Sequence, residues 1–212
     1  VAQRDAWRVE RAIQAARFPV LKDLGSFDFD VVENIAKQRV LELAQGGYMA
    51  MAETIILIGN PGLGKTHIAT GLALAACQQG KKVRFFSVNT LVNDLLAAQK
   101  DLRFSKLVKQ LEKLDLVVLD ELGFIPFSKE GGQLLFQICS DLNERVSIIV
   151  TTNLRFGDWN QIFGDEKMTA ALLDRLTHKS HILEFVGESY RFRQRLFQEE
   201  QQATAGQSAR VS

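Results

Sequence analysis

Lys65 and Thr66 close an eight-residue run, Gly59-Asn60-Pro61-Gly62-Leu63-Gly64-Lys65-Thr66, whose residue types suit wrapping backbone around an anion. Glycine has no Cβ to block positive φ, so successive N–H groups can turn inward. The spacing is that of a phosphate-binding loop, provided that a strand precedes it and a helix follows. In that setting Lys65 reaches the β- and γ-phosphates of a nucleotide, and the Thr66 hydroxyl holds Mg2+. The helix adds free N-terminal donors and the positive end of its dipole. Asp120-Glu121 follows the apolar run Leu116-Val117-Val118-Leu119. An acidic residue closing such a strand is expected to hold the water shell of Mg2+, which takes one or two carboxylates plus phosphates and waters. Glu121 is then expected to orient or deprotonate an attacking water. Asn153 ends another apolar run, after Thr151-Thr152. Its amide is expected to position that water or to sense the γ-phosphate.

These residues need a scaffold that delivers them to one place. Ile55-Ile56-Leu57-Ile58 reads as the strand before the loop, and Ile68–Ala76 as the helix after it, ending near Gly80. Further strands are expected over Val83–Val88, Leu116–Leu119, Ser147–Thr151 and His181–Phe185. Helices are expected over residues 1–17, 31–45, 130–145, 156–163, 167–177 and 188–202. Another helix, capped by Asn89 or Thr90, carries Leu91, Leu95 and Leu96. Phe18-Pro19 breaks the first helix. Asp28 or Asp30 is the expected cap of the second, and Gly46-Gly47 its end. A basic amphipathic helix is expected from about Asp101 to Leu114. Phe104, Leu107, Val108, Leu111 and Leu114 form its stripe, and Lys100, Arg103, Lys106, Lys109 and Lys113 lie mostly off it. Alternating strands and helices argue an α/β fold with a parallel sheet, its apolar strands covered on both faces. Ligands of such sheets bind beyond the carboxyl ends of the strands. The phosphate loop, Asp120-Glu121 and Asn153 all fall there.

Composition narrows the class. The chain has 212 residues, 46% hydrophobic and 24% charged, so one domain with extensions is the default. The net charge of +1 means that nucleic-acid contact must be argued from local patches. Cys77 and Cys139 have no CxxC partner and are expected to be small buried hydrophobes of a reducing compartment. His67, His178 and His181 are too scattered for a metal site. No apolar run reaches the ~18–20 residues of a membrane span, and no signal peptide is evident. A cytoplasmic protein with no membrane contact is expected. Val1 stands within a helical pattern, which is expected to be the end of a longer N-terminal segment.

Together these motifs resemble the AAA+ ATPases over about residues 27–192. Within them the chain is similar to the IstB-type transposition helper ATPases, relatives of the DnaC helicase loaders. The resemblance is carried by Gly59–Thr66 as Walker A, Leu116–Glu121 as Walker B, Thr151-Thr152-Asn153 as sensor 1, and Leu172-Leu173-Asp174-Arg175-Leu176. Ala16-Arg17-Phe18-Pro19 and Ser26-Phe27-Asp28-Phe29-Asp30 look like that family's linker. The resemblance implies a P-loop αβα sandwich with a five-stranded parallel sheet and no separate lid domain. It implies residues 1–25 as the remnant of an N-terminal helical segment with its linker, 26–202 as the ATPase domain and 203–212 as a flexible tail. It adds Phe27, Phe29 and His67 to the nucleotide-binding set. It also assigns Arg175 as an arginine finger acting on a neighbour's ATP, and Arg191 as a sensor 2 arginine.

The implied function is an ATP-dependent, DNA-binding ATPase that assists a transposase in target selection or remodelling. It would work as a homo-oligomer with ATP sites at subunit interfaces. Lys100–Lys113 occupies the place of the DNA-gripping insertion and would hold double-stranded DNA by its phosphates, without sequence specificity. The N-terminal helix and the Arg191, Arg193, Arg195 run would add to that surface. A DnaC-like replicative helicase loader is the alternative. A small-molecule kinase would need an arginine-rich lid and an acceptor pocket. A pure binding module would need no Glu121 chemistry.

Overall fold

The computed structural model describes residues 2–187, with side chains from Ala6 onward. The expected helix over 188–202, the tail, Arg191, Arg193 and Arg195 lie outside the described residues. Five strands form one all-parallel sheet: β1 (Thr54–Gly59), β2 (Val83–Ser87), β3 (Leu116–Leu122), β4 (Ser147–Thr152) and β5 (Ser180–Phe185), in the order β2-β3-β4-β1-β5. Alternate residues of the three central strands, β1, β3 and β4, enter opposite cores. Ile55, Leu57, Val118 and Ile149 meet one helical layer, while Ile56, Val117, Leu119, Ile148 and Val150 meet the other. This is why the strands read as unbroken apolar runs.

The first layer holds α1 (Ala2–Ala16), α2 (Lys37–Ala44), α3 (Gly47–Ala50) and α4 (Lys65–Gln78). The second holds α5 (Val88–Lys100), α6 (Phe104–Leu111), α7 (Lys129–Leu142), α8 (Asn160–Phe163) and α9 (Glu166–His178). The helix α1 is no loose appendage, for it packs on α4 and β2 and seats Ala16 in the core at 0% exposure. Cys77 and Cys139 are buried in opposite layers, and burial pushes their thiols up to about 11 and about 12.

Several local expectations fail for identifiable reasons. No single helix spans 31–45. Phe29–Val31 is a 3-10 turn whose cap is Asp28, accepting from the Asp30 N–H, and α2 begins only at Lys37. Val31 ends that turn and buried Ile35 lies in non-helical chain, so their spacing with Val40, Leu41 and Ala44 imitated a helical stripe. Gly46, at φ 84°, ends α2, but Gly47 starts α3. Ser87 flanks α5 without a side-chain cap bond, so neither Asn89 nor Thr90 caps it. The basic segment is shorter than expected: residues 101–103 form a turn and α6 covers only Phe104–Leu111. The 156–163 stretch divides into a 3-10 turn and α8.

Among the described residues, five other than glycine have positive φ. Arg17, Ala52, Leu102 and Glu144 follow the ends of helices, whereas Glu121 (φ 64°) lies inside β3. A left-handed residue in a strand breaks the ladder, and the β3–β4 register shifts between Leu119 and Leu122.

Candidate nucleotide-binding site

A cavity of about 560 Å³ opens at the carboxyl ends of the strands, large enough for a small-molecule ligand. Its floor is Pro61–His67. Glu121 near the end of β3 and Phe124 beyond it line the cavity, with Thr151, Thr152 and Asn153 at the end of β4. Lys22, Ser26, Phe27, Asp28 and Val31 of the linker make the remaining wall. The sheet order explains the convergence, because β1 and β3 both flank β4.

The phosphate loop has the expected strand–loop–helix setting. Gly64 precedes α4 with φ 88°, and a Cβ there would stand 2.4 Å from Cε2 of Phe27. Glycine is therefore demanded twice, by backbone conformation and by the aromatic ring. Lys65 is 8% exposed, and its ammonium donates to the carbonyls of Gly59 (2.7 Å) and Asn60 (2.8 Å). Gly59 and Asn60 thus stand beneath the cavity and hold the lysine from behind.

Asp120 is also behind the lining, at 6% exposure. Thr66 Oγ1 donates to its Oδ1 at 2.9 Å, and Thr151 Oγ1 donates to the same oxygen at 2.5 Å. Burial raises the carboxyl above its ordinary value. The two hydroxyls, the Lys65 charge and a backbone N–H pull the other way without overcoming it. Thr151 is a hub: its Oγ1 also accepts the Glu121 N–H at 2.9 Å. One buried hydroxyl therefore fixes both acidic residues. The bond holds Glu121 in a left-handed conformation that costs about 1–3 kcal/mol, and the residue stays exposed on the cavity. Among the described residues no cluster of three or more His, Cys, Asp or Glu could ligate a metal.

The linker is tied down by His67. Its Nε2–H donates to the Asp23 carbonyl at 2.8 Å, and Ser26 Oγ lies 3.3 Å away. Phe27 packs edge-on against the imidazole, with centroids 5.2 Å apart. Phe29 does not line the cavity; it backs Phe27 at 4.8 Å and carries Lys37 above its ring. Mid-helix Gly71 lets the linker approach closely, since a Cβ there would meet Leu24 Cδ2 at 2.5 Å.

Arg175 is not in this cavity. On α9 its Nη1 donates to the Ala171 carbonyl at 2.8 Å, and its guanidinium lies 5.3 Å over the Phe136 ring. Lys100, Arg103, Lys106, Lys109 and Lys113 are all exposed and belong to the α5–α6 region, not to the cavity. Sequence reasoning missed Lys22, Val31 and Phe124 as lining residues. No motif marks them, because only the linker's path and the β3–α7 loop bring them there.

Residues 1–198 match the family described as IstB-like ATP binding protein. An insertion sequence IS21 protein of Pseudomonas aeruginosa, named for ATP binding, is 37% identical over 187 residues, covering 88% of this chain and 71% of its own. A counterpart of insertion sequence IS5376 from Geobacillus stearothermophilus is 33% identical over 202 residues, covering 95% and 80%. The crystal structure of the DnaC helicase loader superposes with a TM-score of 0.63 at 19% identity, covering 84% of this chain and 99% of that one. This likeness extends to the AAA+ fold.

Proposed function

Because the chain belongs to the IstB-like ATP-binding protein family, we propose that it is a DNA-binding AAA+ ATPase that helps a transposase select or remodel its target DNA. The observation carrying this reading is the meeting of Lys65, Thr66, Glu121 and Asn153 on one cavity, with Asp120 directly behind. The insertion-sequence origin of the relatives supports transposition as the setting.

In this reading the phosphates lie along Gly59–Thr66, and Lys65 exchanges two loop carbonyls for phosphate oxygens. The Thr66 hydroxyl and the Asp120 carboxylate, 2.9 Å apart, are the hard oxygen donors that Mg2+ favours. When bound, the ion neutralises charge shared by the β- and γ-phosphates. Phe27 closes the linker side, with Phe29 and His67 fixing it. Glu121 aligns a water with the γ-phosphate and draws off its proton. Asn153 holds that water or the γ-phosphate. Arg175 serves a neighbouring subunit, and its place outside its own cavity is in keeping with that role. An arginine supplied in trans accelerates hydrolysis by about 10³–10⁵-fold, so turnover would depend on oligomer assembly. The exposed cations Lys100, Arg103, Lys106, Lys109 and Lys113 hold duplex phosphates, and the protein acts in the cytoplasm.

Phosphate release with and without duplex DNA tests the reading. Wild type is expected to be stimulated by the duplex. Glu121→Gln is expected to keep ATP binding and lose about 10²-fold or more in turnover. Unstimulated wild type would remove the DNA link; undiminished Glu121→Gln turnover would remove the water-activating site. A helicase loader is the second reading, favoured by the DnaC-like fold. Capture of a replicative helicase instead of a transposase would establish it.

A further inference from the structure

The turn between α5 and α6 places leucine where the backbone asks for glycine. The helix ends in a Schellman motif: the Leu102 N–H donates to Gln99 O at 3.1 Å and the Arg103 N–H to Ala98 O at 2.7 Å. Such a motif needs a left-handed residue just after its cap, and Leu102 has φ 56°. A Cβ is penalised there. Packing gives nothing back, because Leu102 is 94% exposed, the most exposed large hydrophobic among the described residues. The apolar contact that often closes the motif is also missing, since the next residue is Arg103.

Its surroundings are ionic. Lys100 ends α5, Arg103 flanks the start of α6, Lys106 lies in its first turn, and all are exposed. Asp101 pairs with Arg103. A pocket on a protein partner would be met by an apolar patch, whereas Leu102 stands alone among charges. A single apolar projection with exposed cations close by in the chain is the composition of a wedge. Such side chains enter between base steps from the minor groove while basic neighbours hold the phosphates.

We infer that Leu102 wedges into duplex DNA held by Lys100, Arg103 and Lys106, unstacking one base step and kinking the duplex. The inference rests on the DNA-binding reading above. Flexible pyrimidine–purine steps such as TA are the easiest to open and are the favoured points of entry.

The test uses the full chain with ATP and a short duplex carrying 2-aminopurine beside a TA step. The fluorescence of this base rises when its stacking is lost. Leu102→Gly suits the left-handed position better than leucine, so the variant folds; Leu102→Met keeps an apolar wedge. Wild type and Leu102→Met are expected to give the rise. Leu102→Gly is expected to bind the duplex with the same salt dependence, because every cation remains, and to lose the rise. An undiminished rise in Leu102→Gly overturns the wedge and leaves DNA binding intact. So does wild-type binding without any rise. If Leu102→Gly keeps the rise but no longer captures transposase, the side chain is a protein contact and the wedge is overturned. Absence of duplex binding by wild type at low salt overturns the wedge and the DNA-binding reading together.

Discussion

Asp120 concentrates the electrostatic strain of the site. Burial raises its carboxyl, so in the nucleotide-free protein its charged form weakens the fold. With the folded value above the unfolded one, the native state binds more protons between the two. The penalty is therefore complete above the folded value and vanishes as pH falls below the ordinary carboxylate range. Asp120→Asn keeps an oxygen for Thr66 and Thr151 but carries no charge. It is expected to melt higher than wild type at neutral pH without nucleotide, and the gap is expected to close in acid. Thermal melts across pH would check this; a gap of the opposite sign would mean that the hydroxyls and Lys65 outweigh burial. The sequence made Asp120 and Glu121 legible through an acidic pair at the end of an apolar strand. It did not show that Glu121 turns left-handed, nor that Thr151 restrains both residues. Those facts arise from pairing between β3 and β4, segments distant in sequence.

At the level of elements, the linker and the first turn of α4 form one unit. Phe27 rests on Gly64, His67 bonds the Asp23 carbonyl, and Leu24 fills the notch at Gly71. Gly64→Ala drives a methyl into the Phe27 ring and strains a left-handed backbone. We expect a loss of about 1–3 kcal/mol in stability and a fall in ATP affinity of about tenfold or more, about 1.4 kcal/mol. Gly157→Ala is the control, because a Cβ there meets nothing within 4 Å. Titration calorimetry and melting would settle it, and equal affinity in the two variants would show that the linker wall is dispensable. All five strands and the loop were readable from apolar runs and glycine spacing. The start of α2 was not, because Val31 and buried Ile35 belong to a 3-10 turn and irregular chain, and periodicity alone cannot separate that from helix.

On the scale of the whole molecule, the role proposed for Arg175 would make turnover depend on assembly. It is engaged by its own helix and by Phe136, away from its own cavity. Arg175→Ala is expected to bind ATP without turning it over, and Lys65→Ala to bind none. Mixed together, the two are expected to recover part of the wild-type phosphate release, as a donated arginine reaches an intact loop. Co-assembly confirmed by light scattering with no recovery would assign Arg175 to its own subunit or to structure. Sheet order has a consequence for the order in which the protein is made. The phosphate loop hangs from β1, an early strand, yet Thr54 aligns only with Ile148 of β4 and Ser180 of β5. On the ribosome β1 therefore waits, unpaired and apolar, until most of the chain has emerged. Long-range pairing of this kind is slow and leaves a strand open to aggregation. The nascent chain would complete its ATP cradle only after β4 has emerged, so nucleotide capture would mark a late stage of folding.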